Sequence, residues 1–180
     1  MAALGPIVLS VMLFMTDAAF GQDEFTIERY RLGAGDVISI RVFGEDDLSF
    51  DRIRLSDAAT VPYPFLGEVV ADGLTPQELE TLVEQGLSNG YLISPRVTVN
   101  VLEYRDFFVN GEVSSPGGYA FQPGMTVRRA IALAGGKTDR ASRRNMHVIR
   151  EIDPTREQQR VEMDDPLGPG DILTIEESFF

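Results

Sequence analysis

The sequence predicts an α+β fold in two consecutive parts, a small mixed sheet with one capped helix and then a β-grasp unit. The beginning of the first helix is marked by Thr75-Pro76-Gln77-Glu78, a capping box with proline at the tolerated first position. The second helix follows Thr126, a good N-cap, and ends at Gly135-Gly136, which permits a left-handed exit. Between these helices, residues 96–101 alternate between apolar and polar side chains, as a strand does.

The first part opens with a glycine-rich turn and a strand. A strand is predicted from Val37 to Phe43, because Ile38 and every second residue after it are apolar. Gly33 and Gly35 mark the turn before it, and we expect Asp36 to accept backbone N–H bonds there.

A turn-rich excursion is predicted for the polar residues 45–63, followed by an extended edge segment at Pro62 and Pro64. The capped helix then carries an apolar stripe and stops at Asn89-Gly90. The stripe consists of Leu79, Leu82, Val83 and Leu87. The strand at 96–101 completes this part.

The second part begins with a strand at Phe107, and the segment from Ser115 to Gly118 turns the chain, either glycine being able to supply a positive φ. A return strand is predicted at Tyr119 to Phe121, then a helix from Val127 to Ala134. Hairpin, helix and a later strand in this order are typical of a β-grasp unit. We further predict a polar loop at 137–145, a strand at 146–152 and a last hairpin starting at Val161 and Met163.

A segment of the first part recurs near the end of the chain. Residues 168–175 match residues 33–40 at a constant offset of 135, and both read Gly-x-Gly-Asp, two aliphatics, a hydroxyl residue and isoleucine. Asp36 and Asp171 would be the catalytic pair of a carboxylate enzyme, but an aspartate before a strand is ordinary turn chemistry. The repetition therefore indicates a related turn-and-strand element in each of the two parts, rather than a catalytic pair.

Composition excludes several kinds of function. The net charge of −12 argues against binding nucleic acid, whose phosphates need clustered Lys and Arg. The chain has no cysteine, so it has neither disulfides nor thiolate sites, and it cannot carry a lipid on an N-terminal cysteine. His147 is the single histidine, and no nucleophile elbow or phosphate loop occurs. Glu45-Asp46-Asp47 matches no calcium-loop pattern. We therefore expect no enzyme activity, no cofactor and no metal.

The N-terminus predicts a secretory signal. The apolar run from Ile7 to Met15 is too short to span a bilayer, which needs about 20 apolar residues. Ala19 and Gly21 are small residues at the positions that a signal peptidase reads. We assign residues 1–21 to a signal peptide and 22–29 to a linker.

Four motifs follow one another in the second part: Val109-Asn110-Gly111-Glu112-Val113, Pro116-Gly117-Gly118-Tyr119, Thr126-Val127 and Ala130-Ile131-Ala132-Leu133-Ala134-Gly135-Gly136. In this order they resemble the soluble-ligand-binding β-grasp (SLBB) domain of bacterial polysaccharide export proteins. The first part resembles the polysaccharide export domain that precedes it in this family. The expected bounds are 30–104 for the export domain and 105–180 for the SLBB domain.

The resemblance implies a non-catalytic, periplasm-facing component of capsule or exopolysaccharide export. Family members form rings that act as a conduit, and they work with an inner-membrane copolymerase that is often a tyrosine autokinase. Members that cross the outer membrane carry a C-terminal amphipathic helix, whereas the sequence here stops at Phe180. We therefore expect a homo-oligomeric ring that associates with the outer membrane through a separate protein.

Two alternatives remain open from the sequence: a monomeric periplasmic glycan-binding module, and a carbohydrate-active enzyme with two carboxylates about 5–10 Å apart. Candidate contacts with a partner or with the polysaccharide lie in two places. Arg140, Arg143 and Arg144 form a basic stretch on an acidic chain, and the pair Phe179-Phe180 ends it.

Overall fold

The computed structural model describes residues 30–178, which form two packed units. The elements of the first unit are β1 (Val37–Val42), β2 (Phe50–Arg54), β3 (Thr60–Tyr63), β4 (Gly67–Val70), α1 (Pro76–Ser88) and β5 (Val97–Glu103). A three-stranded antiparallel sheet has the order β2-β1-β5, and β3 and β4 form a separate hairpin.

Helix α1 packs on the sheet because its apolar stripe faces β1 and β5. Leu79, Val83 and Leu87 are fully buried in this core. The predicted capping box is confirmed, since Glu78 donates its N–H to Thr75 Oγ1 (3.1 Å) and Thr75 donates its N–H to Glu78 Oε2 (2.7 Å). Two N–H groups that no helical carbonyl can reach are thus satisfied.

The elements of the second unit are β6 (Phe107–Gly111), β7 (Gly117–Tyr119), α2 (Val127–Leu133), β8 (Ala141–Ile149), β9 (Gln158–Arg160) and β10 (Ile172–Glu177). The sheet has the order β7-β6-β10-β8-β9, in which β10 runs parallel to β6 and all other pairs are antiparallel. One face holds α2 through a core that includes Phe107, Val109, Ile131 and Leu173. This arrangement confirms the predicted α+β class and the β-grasp unit.

Gly111 allows strands β6 and β10 to meet at the end of their parallel pairing. Its φ is +83°, and a Cβ there would lie 2.0 Å from the carbonyl oxygen of Ile175. Only glycine combines a left-handed φ with this close backbone approach.

Several predicted elements of the second unit are displaced. Gly117 and Gly118 do not adopt positive φ, because they lie in β7, so the return strand begins at Gly117 rather than Tyr119. The polar loop predicted at 137–145 is wrong in its second half, since β8 already begins at Ala141. The last hairpin does not start at Val161, because the short strand β9 ends just before it and pairs with β8.

The first unit also departs from expectation. The polar stretch 45–63 contains strands β2 and β3, and β2 is an edge strand with no buried residue. Leu82 was expected in the buried stripe, but it is 42% exposed. Pro62 lies in the two-stranded hairpin, as predicted for an edge segment.

The predicted signal peptide, linker and terminal Phe179-Phe180 lie outside the described residues. Neither α1 nor α2, the helices of residues 30–178, is long and apolar enough to cross a membrane.

Candidate functional site at the junction of the two units

Asp36 anchors the turn at the start of the first unit, and its carboxylate is completely buried. Oδ2 accepts from the N–H of Gly33 (2.9 Å) and the hydroxyl of Tyr30 (2.5 Å). Oδ1 accepts from the backbone N–H of Arg105 (2.8 Å), whose Nη1 donates to Oδ2 at 3.2 Å. The predicted capping role is confirmed, but the site also reaches Arg105, which lies in the connection between β5 and β6.

Asp171 repeats this geometry at the recurring Gly-x-Gly-Asp segment. Its Oδ2 accepts from the N–H of Gly168 (2.7 Å) and from Arg150 Nη1 (2.7 Å), and its Oδ1 accepts from the N–H of Glu151 (3.0 Å). Each aspartate therefore receives one glycine N–H, one further backbone N–H and one guanidinium. These donors stabilise a buried carboxylate, as turn chemistry requires.

Arg105 lies between the two recurring turns. A Cβ at Gly33 would be 2.8 Å from its Nη1, and a Cβ at Gly170 would be 3.0 Å from its Nε. Gly170 also donates its N–H to the carbonyl of Asp106 (3.0 Å). The arginine thus fills space that glycines from both units leave open. We call Arg105 and Asp36 the junction clamp.

Aromatic rings surround the junction clamp. Tyr104 packs edge-on against Tyr30 at a centroid distance of 4.8 Å and against Phe121 of the second unit at 5.5 Å. It contacts both hydrophobic cores. Burial, and then the charge of Asp36, raise the pKa of Tyr30 and of Tyr104 above the ordinary tyrosine value. Both phenols therefore remain neutral at neutral pH.

An open cleft of about 600 Å³ borders the clamp. Its lining includes Arg54, Glu103, Tyr104, Arg105, Phe121 and Gln122. Glu103 makes ion pairs with Arg52 (2.7 Å) and Arg54 (3.7 Å), and the hydrogen bond from Arg52 lowers the pKa of this carboxyl. The cleft offers polar groups beside aromatic rings, and residues 30–178 contain no cluster of three or more metal-ligating side chains.

The predicted arginine contacts lie away from this junction, around the start of β8. Arg140 makes an ion pair with Glu177, and the hydrogen bond that the guanidinium donates to that carboxylate raises the pKa of Arg140. Arg143 and Arg144 are exposed and make no ion pair within the part of the chain that the structure describes.

A bulge in β8 projects these two arginines. Ile175 faces Met146 while Glu177 faces Ala141, so residues 142–145 loop out of register. The buried Ser142 Oγ accepts from the N–H of Asn145 (3.0 Å) and closes the loop.

His147 lies on the sheet face opposite to Met146 and Val148, as the sequence predicts. Its Nδ1 lies 3.3 Å from Glu176 Oε1 without making a hydrogen bond.

The sequence interpretation missed Arg105 and Tyr30 as parts of the site. The only available signal was the pair of Gly-x-Gly-Asp segments, because a close approach between backbone and side chain is one reason for glycine in a turn. Nothing in the spacing identified the side chain that approaches.

Comparison with known proteins matches both units in order. Residues 26–102 match the family model described as polysaccharide biosynthesis/export protein, and residues 107–161 match the SLBB domain. The clamp residue Arg105 lies between the two matched regions.

Two relatives are similar to more than half of this chain. The exopolysaccharide production protein ExoF of Rhizobium meliloti is 31% identical over 130 residues, which cover 66% of this chain and 31% of ExoF. The EPS I polysaccharide export outer membrane protein EpsA of Ralstonia nicotianae is 29% identical over 132 residues, which cover 59% of this chain and 34% of EpsA. The chain therefore spans about a third of the length of these relatives.

Proposed function

The chain belongs to the polysaccharide biosynthesis/export protein family, and from this we infer that it is a component of capsule or exopolysaccharide export. The observation that carries the proposal is the order of the two matched regions, polysaccharide export and then SLBB, each on a unit with its own core. We propose that the boundary falls between Tyr104 and Arg105, giving domains 30–104 and 105–180.

We place this component in the periplasm, associated with the outer membrane through other proteins. The relative EpsA is named an outer membrane protein, which supports this location. The proposed partners are the polysaccharide, an inner-membrane copolymerase or tyrosine autokinase, and a separate outer-membrane protein. The signal peptide assigned to residues 1–21 would deliver the chain there.

The proposed role is passage and docking of polymer without bond making or breaking. Asp36 and Asp171, the pair that an enzymatic reading would use, are each buried and each receive a guanidinium and two backbone N–H groups. A carboxylate that is buried behind its own donors is out of hydrogen-bond reach of a substrate, whereas a general base has to contact the proton that it abstracts.

Self-association into a ring is part of the proposal. The edge strands β2 and β5 of the first sheet and β7 and β9 of the second have no neighbour on their outer sides among the described residues. Such edges pair readily with another chain, and repeated head-to-tail contacts close into a ring when the rotation allows it. The proposed contacts with polymer or partner are Arg143 and Arg144 on the bulge, together with Arg140, Phe179 and Phe180.

The proposal is tested by deleting the gene and measuring polymer in two fractions, the medium and the cell. Loss of exported polymer, restored by the wild-type gene, supports the export role. Unchanged export from the deletion strain contradicts it. A reducing-end assay on the exported polymer with purified protein tests catalysis separately.

A monomeric glycan-binding module is the second candidate, and the cleft of about 600 Å³ beside Tyr104 and Phe121 favours it. Light scattering on the mature chain across a concentration series, with and without detergent, distinguishes the two. A discrete closed oligomer supports the conduit. A monomer at every concentration removes self-assembly by this chain alone.

A further inference from the structure

An exposed aromatic ring is presented at the tip of the β3–β4 hairpin. Phe65 is 65% exposed and has a φ of +66°. This left-handed region is costly for a bulky side chain, and glycine or asparagine usually occupies it. Strained residues of this kind persist where the surrounding structure enforces them, and they cluster at ligand-binding positions.

Three contacts hold the strained tip in place. The neighbouring Leu66 packs into a notch at Gly86 of α1, where a Cβ would lie 2.8 Å from Leu66 Cδ1. Tyr91, just after the helix, stacks on the Phe65 ring with centroids 4.9 Å apart and planes 24° apart. Its hydroxyl donates to the Phe65 carbonyl oxygen at 3.4 Å. Gly86 lowers the stability of α1, because glycine is a poor helix former. Its missing side chain leaves the room in which Leu66 packs and holds the hairpin tip.

The stack leaves aromatic surface in water. Tyr91 is 50% exposed and Phe65 still more so, because the contact covers one face of each ring. A leucine in place of Phe65 would also expose apolar surface to water, but it would not present a flat aromatic face. The structure therefore holds two adjacent rings rigidly and openly, although neither completes the hydrophobic core.

We propose that Phe65 and Tyr91 form a platform on which a pyranose ring of the exported polysaccharide stacks. An aromatic face carries negative charge density, and the axial C–H groups on one side of a pyranose ring present a flat, weakly positive, apolar surface to it. The sugar hydroxyls, which point outward from the ring edge, stay in water. This inference rests on the proposed export function and identifies where the chain contacts its cargo.

Weak stacking suits a polymer that has to move on. A site in a conduit must bind favourably enough to admit its cargo and weakly enough to release it, as the sites of channels do. A flat aromatic platform recognises the ring shape shared by many sugars, so successive residues of the polymer bind it with a similar, weak affinity. A deep pocket would instead bind one end of the polysaccharide and retain it.

The test is saturation-transfer NMR on the full chain with cellohexaose as the probe. We expect transfer from protein aromatic protons to the axial protons of the sugar. Phe65→Leu and Tyr91→Leu should each reduce this transfer several-fold. The matched control is Phe43→Leu, which also removes an exposed phenylalanine, 85% exposed and outside the stack, and should leave the transfer unchanged.

Equal transfer in wild type, Phe65→Leu and Tyr91→Leu would overturn the platform while leaving glycan binding elsewhere on the chain. Absence of transfer in the wild type would overturn it as well. A third outcome would also overturn it: light scattering shows an oligomer that dissociates on Phe65→Leu, and no saturation transfer to the sugar is seen. The two rings would then be covered by a second copy of the chain. The secretion assay on the deletion strain reports on the export function independently of all three outcomes.

Discussion

Arg105 contacts Asp36 twice, through its backbone N–H to Oδ1 at 2.8 Å and through Nη1 to Oδ2 at 3.2 Å. The same guanidinium donates to the hydroxyl of Tyr30 at 2.7 Å. Asp36 is fully buried and the Arg105 side chain is 15% exposed, so this pair is removed from water almost entirely. Removing one partner from such a pair costs far more than the pair itself contributes, because the other charge remains buried.

Replacing Arg105 with alanine should therefore lower the free energy of unfolding by about 3 kcal/mol. Urea unfolding monitored by circular dichroism measures this change. The matched control is Arg41→Ala, whose partner Asp51 is 84% exposed, and the expected loss is below about 1 kcal/mol. Equal losses for the two variants would show that the junction clamp is no more than a surface ion pair.

Gly111→Ala should lower the free energy of unfolding by about 3 kcal/mol or more, because the new Cβ meets the Ile175 carbonyl and the φ of +83° is strained as well. Thermal unfolding measured by calorimetry tests this. Gly117→Ala is the control, since nothing lies within 4 Å of a Cβ there and φ is not positive. A Gly111→Ala protein as stable as Gly117→Ala would contradict the close approach of β6 and β10.

The capping box makes stability depend on pH in the acidic range. The hydrogen bond from the Thr75 backbone lowers the pKa of Glu78 below its ordinary value of 4.5. Since the pKa is lower in the folded state, ionised Glu78 contributes stability above the unfolded value, and this is lost as pH falls through the folded value.

Glu78→Gln should thus flatten the decline in unfolding free energy between about pH 6 and about pH 3. Urea titrations at a series of pH values measure the slope. Glu68→Gln, which replaces an exposed glutamate with no side-chain hydrogen bond among residues 30–178, should leave the slope as it is. Identical slopes for both variants would remove Glu78 as a source of the pH dependence.

Strain at Phe65 is measurable without any ligand. Phe65→Gly and Phe65→Ala both lose the stack on Tyr91, but only glycine adopts the φ of +66° freely. We expect the glycine variant to be about 1 kcal/mol more stable than the alanine variant. A more stable alanine variant would mean that the tip relaxes out of the left-handed region.

Local signals in the sequence predicted local structure well. The capping box at Thr75 and the glycine exit at Gly135-Gly136 each depend on residues close in the chain, and the structure confirms both. The strand β2 was missed because it lies at a sheet edge, where both faces are partly solvated and the apolar alternation is lost. Leu82 fits the periodicity of the stripe but lies at its border, where the helix turns away from the core.

The site depended on contacts that no local pattern encodes. Asp36 and Arg105 are 69 residues apart, and they meet because β1 pairs antiparallel with β5, so that Val37 faces Glu103. Arg143 and Arg144 are exposed, but they lie in a bulged strand and not in the predicted loop, because the bulge breaks the alternation that would have identified the strand. Phe65 carried no signal, since strain is a property of the backbone conformation.

Arg105 packs between Gly33 of the first unit and Gly170 of the second, so one side chain contacts both units. It acts as a spacer, because a shorter side chain would leave a void between the two glycines and a bulkier one would overlap them. In the proposed ring every copy would carry the same spacer, so a substitution at this one position would be repeated in every subunit.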